Sequence, residues 1–237
     1  MDQNKIIFTP FKDNPELFEK PPLPATKVIP EWFKNTPQKH LASDVNDSTP
    51  EVFKYDKTFK LCVPFTDLIT TGYMVVLPCD LYVDEFQNQT RVYWKPTALD
   101  IVDKIEESTH TNYPVPTGFK TMVFRFKSNW QIKTPKGHSI LIQHPFYRNE
   151  LPFHTLSAIV DTDKHLNSIL YPFVLKEGFQ GIIPAGTPIA QILPFKRKNW
   201  KSEVAPYSKE SKWWGPAVNR YFERSYKRQF WTKKTYR

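Results

Sequence analysis

Glycine is scarce: seven residues in 237. A triphosphate site needs close backbone approach and preorganised donors, which glycine and serine provide, so the scarcity argues against one. Cysteine is scarcer still. Cys62 and Cys79 are the two in the chain and form no CxxC pair, which argues against a zinc site built of thiolates. No apolar run approaches the ~18 residues that a membrane span needs. The opening stretch MDQNKIIFTPF has no apolar core of a secretory signal. The expectation is a cytoplasmic protein with no membrane partner. Neither an internal repeat nor a low-complexity segment is present.

What is there points to a packed domain. Hydrophobic residues make up 40% and aromatics 15%, enough to build a core. The 22 prolines are roughly twice the usual share, so many segments should be short or lie at sheet edges. The net charge of +9 is concentrated: residues 196–237 hold thirteen Lys or Arg against three Glu, and the rest is nearly neutral. A basic tail calls for an acidic partner: nucleic acid, another chain or the protein's own body.

Three segments follow. Residues 1–58 read as a proline- and aromatic-rich N-terminal arm, with PPLPATKVIP at its centre. Its aromatics (Phe8, Phe11, Phe18, Trp32, Phe33, Phe53) mean that it lies against its own domain or a neighbouring subunit. Residues 59–200 read as a β-rich domain. KLCVPF and YMVVLPCDLYV are apolar and rich in β formers. Met122, Phe124 and Phe126 alternate with Val123, Arg125 and Lys127, the period of a half-buried strand. Residues 139–142, 169–175 and 189–195 are further strands, separated by turns at Pro135-Lys136-Gly137 and Pro184-Ala185-Gly186. A short helix is expected after Thr97 as N-cap, with Leu99, Val102 and Ile105 or Glu106 at helical spacing. A hairpin turning at Thr70-Thr71 would set Cys62 opposite Cys79, close enough for a disulfide; in a reducing cytosol two buried thiols are the expectation. Residues 201–237 read as a basic C-terminal amphipathic helix that starts at Gly215-Pro216. Val218, Phe222, Tyr226 and Phe230 fall on one stripe with Tyr221 beside them, and Trp213-Trp214 act as an anchor.

The stretch from Thr134 to Phe195 carries a resemblance. TPKGHSILIQHP, then SAIVDTD, then SILYPFVLKEGFQGIIPAGTPIAQILPF keep the order of parts of the dUTPase and dCTP deaminase superfamily, which these residues resemble. Pro135 and Gly137 match its first turn. Val160, Asp161 and Asp163 match its middle motif, and Gly186, Ile189, Ala190 and Gln191 its last strand. The likeness covers about a quarter of the chain. It implies a β-clip-like or jelly-roll-like domain and a homotrimer with exchanged arms. The block is also similar to phage and bacterial proteins of unassigned function with a TPPGY…VDTD pattern, which would place the chain in a host cytoplasm or a virion. Four departures weigh against the family's chemistry. Pro145-Phe146-Tyr147-Arg148 replaces the phosphate-binding Pro-Arg-Ser, Lys164 stands where a tyrosine should follow Asp163, the glycine-rich C-terminal arm is missing, and the deaminases' glutamate has no match.

The candidate sites follow from these motifs. Asp161 matches the water-activating aspartate and could act as a general base; otherwise it caps a β-turn. Asp161, Asp163 and His165 alternate, so in an extended segment they share a face and could hold a divalent metal, with His144 or His154 adding a ligand. Lys136, His138 and Arg148, with Gln191, could hold an anionic ligand. Arg220, Arg224, Lys227, Arg228, Trp231, Lys233 and Lys234 of the tail could bind nucleic acid or a partner subunit. The leading expectation is a non-catalytic structural or interaction module without a cofactor. The alternatives are a nucleotide-binding protein or nucleoside-triphosphate pyrophosphatase using Mg²⁺, and a nucleic-acid binder acting through its tail.

Overall fold

The computed structural model describes residues 5–11, 20–43, 45–50, 54–87, 89–95, 100–105, 114–207 and 225–237. In chain order its strands are β1 (Ile7–Pro10), β2 (Leu23–Pro24), β3 (Lys39–Leu41), β4 (Tyr55–Lys57), β5 (Tyr73–Val76), β6 (Leu81–Phe86), β7 (Gln89–Tyr93) and β8 (Val102–Lys104). They continue with β9 (Phe119–Lys127), β10 (Trp130–Lys133), β11 (His138–Gln143), β12 (Phe153–Thr155), β13 (Ala158–Val160), β14 (Leu170–Lys176), β15 (Gly181–Ile183) and β16 (Pro188–Lys196). The α-helices are α1 (Glu31–Asn35), α2 (Val63–Thr70) and α3 (Ser225–Gln229). The protein is mainly β, and its strand pairings are antiparallel. Among the described residues no helix is long and apolar enough to cross a membrane.

The chain divides into two compact units: residues 1–28, 72–197 and 236, and residues 29–71, 198–235 and 237. The first unit holds a five-stranded sheet ordered β13-β11-β16-β5-β2 and a four-stranded sheet ordered β12-β14-β9-β8. It also holds a three-stranded sheet, β15-β6-β7, and the pair β1-β10. The alternation read in residues 122–127 holds in β9 from Phe124 on, where Phe124 and Phe126 are buried and Arg125 and Lys127 half-exposed; Val123, expected on the outer face, is buried as well, and Met122 is half-buried. One apolar core gathers Tyr73, Val75, Phe124, Phe126, Ile140, Ile142, Tyr171, Phe173, Ala190 and Ile192 from the five- and four-stranded sheets. Ile6 and Phe8 pack against it, and β2 extends the larger sheet at β5.

Prolines sit where strands lose a neighbour. Pro188 starts β16 at a register irregularity. Pro194 lies beyond the last β5 partner, and Pro172 lies one residue outside the β12 register. At each of the last two positions the strand pairs on one side only in register, which suits a residue without a backbone N–H.

The second unit is built from α1, the hairpin β3-β4, α2 and the C-terminal segment. Two expectations differ here. KLCVPF is a 3-10 turn (Phe59–Leu61) running into α2, with Pro64 in the first helical turn, where its missing N–H is harmless. A short apolar run cannot separate strand from helix by periodicity alone. No hairpin therefore turns at Thr70-Thr71, and Cys62 and Cys79 are free thiols, the first exposed. In the first unit, residues 102–104 form β8 against β9 rather than the second turn of a helix; Thr97 and Leu99 lie outside the described residues. So do Trp213, Trp214, Gly215, Pro216, Val218, Tyr221 and Phe222 of the expected C-terminal helix.

Candidate functional site

β11 runs antiparallel to both β13 and β16. The start of β11 therefore meets the ends of its two neighbours, and these three strand ends build the site. Ile140 faces Val160 and His138 faces Lys196. Continuing each register by one residue sets Ser139 opposite Asp161 and Gly137 opposite Arg197. The Arg197 N–H donates to the Gly137 carbonyl at 2.8 Å, extending the ladder past the strand.

The side chains close a charge network at this end. The Ser139 hydroxyl donates to Asp161 Oδ1 at 2.6 Å. Asp163 Oδ2 accepts the Gly137 N–H at 2.8 Å. Arg197 grips Asp163 with both terminal nitrogens, Nη1 to Oδ1 at 2.9 Å and Nη2 to Oδ2 at 2.5 Å. The same Nη1 reaches Asp161 Oδ1 at 3.1 Å, the Ser139 hydroxyl at 2.8 Å and the His138 carbonyl at 2.9 Å. Such bidentate, charge-assisted contacts are the strong kind. The Asp163 side chain is 4% exposed and that of Asp161 50%. Beneath them Thr134 and Thr162 are buried and joined hydroxyl to hydroxyl at 2.8 Å. Thr134 donates its proton to the His138 carbonyl, so Thr162 is the donor of the pair.

These contacts set the acid–base character. The Ser139 hydroxyl, ahead of the Arg197 charge, holds the Asp161 carboxyl below its ordinary range. Arg197, then the Gly137 N–H, bring Asp163 down to about 2. Asp163 in turn raises Arg197. Both carboxylates are anionic at neutral pH and poor proton acceptors, the opposite of the tuning that a general base needs.

Residues 161–165 form a turn, with the Lys164 and His165 N–H groups both donating to the Asp161 carbonyl at 2.9 Å. The extended alternation that would align Asp161, Asp163 and His165 does not occur, and Thr162 points inward. Among the described residues, no three His, Cys, Asp or Glu side chains gather as a metal set.

The anion candidates separate to the two ends of β11. Lys136 and His138 lie at its start, where His138 Nδ1 is 3.3 Å from the Lys136 carbonyl. Arg148 and Gln191 belong to the other end, roughly 20 Å away by strand rise. There Gln191, buried, accepts the Phe146 N–H at 3.1 Å. Arg148 donates to the Val28 carbonyl at 2.6 Å and pairs with Glu150 at 3.3 Å. His144 belongs to that end too. Its Nδ1 accepts the Thr155 N–H, so its Nε2 carries the proton that goes to the Arg148 carbonyl at 3.2 Å. Its ring stacks on His154 with centroids 4.7 Å apart. Burial brings His144 down to about 4 and lowers His154 as well.

The tail residues divide also. Arg220 and Arg224 lie outside the described residues, and Arg228 and Lys233 are exposed. Trp231 Nε1 and Lys234 Nζ both donate to Asp67 Oδ2 on α2, at 2.8 and 2.7 Å. Lys227 and Lys234 lie over the Trp231 ring.

Sequence reading missed Ser139 and Arg197. Ser139 lies inside TPKGHSILIQHP but at none of the positions matched there, and Arg197 stands 34 residues from Asp163. No family model matches the chain, and no curated protein matches it.

Proposed function

We propose that this chain is a non-catalytic structural or interaction module built on a β-clip-like or jelly-roll-like scaffold. One observation carries the reading. The two carboxylates on which nucleotide hydrolysis would rest are engaged by Arg197, Ser139 and Gly137 and held in their anionic form. They brace three strand ends instead of activating water. The segment following β16 supports an assembling role: Trp200, Val204 and Tyr207 are 85%, 99% and 87% exposed within ten residues. Large apolar side chains grouped this way suit burial against another subunit, and a homotrimer is the assembly proposed.

Two measurements test this. Pyrophosphate release from each deoxynucleoside triphosphate with Mg²⁺ is expected to stay at background in the wild type and in Asp161→Ala. Release that the substitution abolishes would make the protein a nucleoside-triphosphate pyrophosphatase. Light scattering is expected to give a trimer mass, and Trp200→Ala with Tyr207→Ala to shift it toward the monomer. An unchanged mass in that double variant removes the assembling role from this segment.

A further inference from the structure

The three-stranded sheet β15-β6-β7 turns one face to the core. Leu81 and Val83 of β6 and Ile183 of β15 are buried in the core cluster, with Val92 of β7 packed against it. Side chains alternate along a strand, so the residues between these stand on the opposite face: Tyr82, Asp84 and Phe86 on β6, Arg91 and Tyr93 on β7, and Ile182 on β15. The register sets them in rows. Ile182, Tyr82 and Tyr93 form one row, Asp84 and Arg91 lie in the next, and Phe86 faces Gln89 in the last.

The rows are held in place. Tyr82 and Tyr93 lie nearly parallel, with centroids 5.5 Å apart and 15° between planes. Arg91 grips Asp84 through Nε and Nη2, both at 2.8 Å, and its guanidinium lies over the Phe86 ring at 4.7 Å from the centroid. Yet Ile182 is 53%, Tyr93 48% and Phe86 54% exposed. Single exposed apolar side chains need no account, whereas a contiguous group does. Aromatics and arginine are the types that association surfaces favour. A nucleic acid suits this face poorly, because Arg91 at its centre already holds a carboxylate.

The face is its own complement. A two-fold axis parallel to the strands and midway between β6 and β7 lays β6 of one copy on β7 of the other. Asp84 of each copy then meets Arg91 of the other, Tyr82 meets Tyr93, and Ile182 flanks the outer side of Tyr93. Opposite charges meet in the charged row and rings meet rings in the aromatic one. Sheets stacked face to face with strands nearly aligned are an ordinary packing geometry, and a two-fold contact of one patch with itself is the commonest way for identical chains to pair. We propose that this face joins two copies of the chain about such an axis, a contact separate from the trimer contact of residues 200–207. A face three strands wide is small beside the roughly 800 Å² per partner of a standard interface, so the dimer exchanges with its separate copies.

The test uses the full chain carrying Trp200→Ala and Tyr207→Ala, so that the trimer contact does not contribute. Sedimentation equilibrium should show the base mass doubling as concentration rises. A mass that never rises overturns the proposal, whatever the outcome for the trimer. Asp84→Arg opposes guanidinium groups across the axis and Arg91→Asp opposes carboxylates, so each variant alone should associate about tenfold more weakly or worse. Mixing the two variants restores opposite charges at both contacts, and association should return to that of the parent. An exposed ion pair adds little to the fold, and mixing cannot mend a damaged fold, so recovery separates contact from folding. Tyr93→Ser, which leaves the ion pair in place, should weaken association too. Parent-like association in all three variants, or no recovery on mixing, overturns the proposal. So does a chain that stays at its base mass but is retained by a neutral polysaccharide until Tyr93→Ser releases it, which would give the face to a sugar.

Discussion

At the scale of single residues, two positions show how backbone and charge specify this molecule. Gly72 has φ of +71°, and a Cβ there would stand 2.2 Å from the Ile192 carbonyl oxygen. Conformation and contact both demand glycine. Gly118, with φ of +83°, has open space around its missing Cβ. Gly118→Ala should therefore cost only the left-handed penalty of about 1–2 kcal/mol. Gly72→Ala should cost more than that, because backbone must move; paired urea melts check the difference, and equal losses would refute the steric account. Arg197 is the other case. Replacing it by methionine keeps some of the stem's packing but leaves Asp163 without its cation, so Arg197→Met should destabilise more than Asp161→Asn, whose carboxylate is itself half in water. An equal effect would mean that Asp163 is held by the Gly137 N–H alone. Sequence reading found Asp161 and Asp163 by their motif but not their partner, since a cation's pairing across strands depends on register and not on spacing.

At the scale of elements, strands with a strong period were legible and short apolar runs were not. β9 shows its alternation from Phe124 on, and β11 and β16 follow turns whose Gly137 and Gly186 take positive φ, as the Pro-x-Gly stretches announce. The run before α2 carries no such period. Its proline fits a first helical turn as well as an edge strand, and packing of Phe65 among Phe33, Phe59 and Trp32 decides for the helix. The same helix receives the C-terminal segment through Asp67. Asp67→Ala removes the acceptor of Trp231 and Lys234, at a cost of about 1 kcal/mol in local stability. Tryptic cleavage between residues 227 and 234 should then speed up about fivefold. A cleavage rate equal to wild type would show that the ring of Trp231 holds the segment without the carboxylate.

At the scale of the whole molecule, acid should weaken the fold in two steps. His144 titrates at about 4 when folded against an ordinary 6.5, because burial penalises its charged form. The unfolded chain then binds the extra proton, so stability falls as pH drops from 6.5 to about 4, by on the order of 3 kcal/mol. Asp163 titrates at about 2 against an ordinary 3.8, so its contribution is present above 3.8 and is lost as pH falls toward 2. Chemical denaturation across pH should show both windows. His144→Gln should flatten the upper one and Asp163→Asn the lower one; a profile unaltered by either substitution would refute the assignment. Composition and pattern by themselves determined a mainly β protein with a concentrated basic end, its principal strands and turn glycines, and the two aspartates worth attention. These are local properties, written in periodicity, charge and backbone preference. Only the tertiary structure decided that Arg197 closes on those aspartates and that Arg148 lies at the far end of β11 from Lys136. It alone set residues 82, 84, 91 and 93 on one outward face. Each depends on which strands and turns become neighbours, and that choice rests on burial of the whole core rather than on any short stretch of chain.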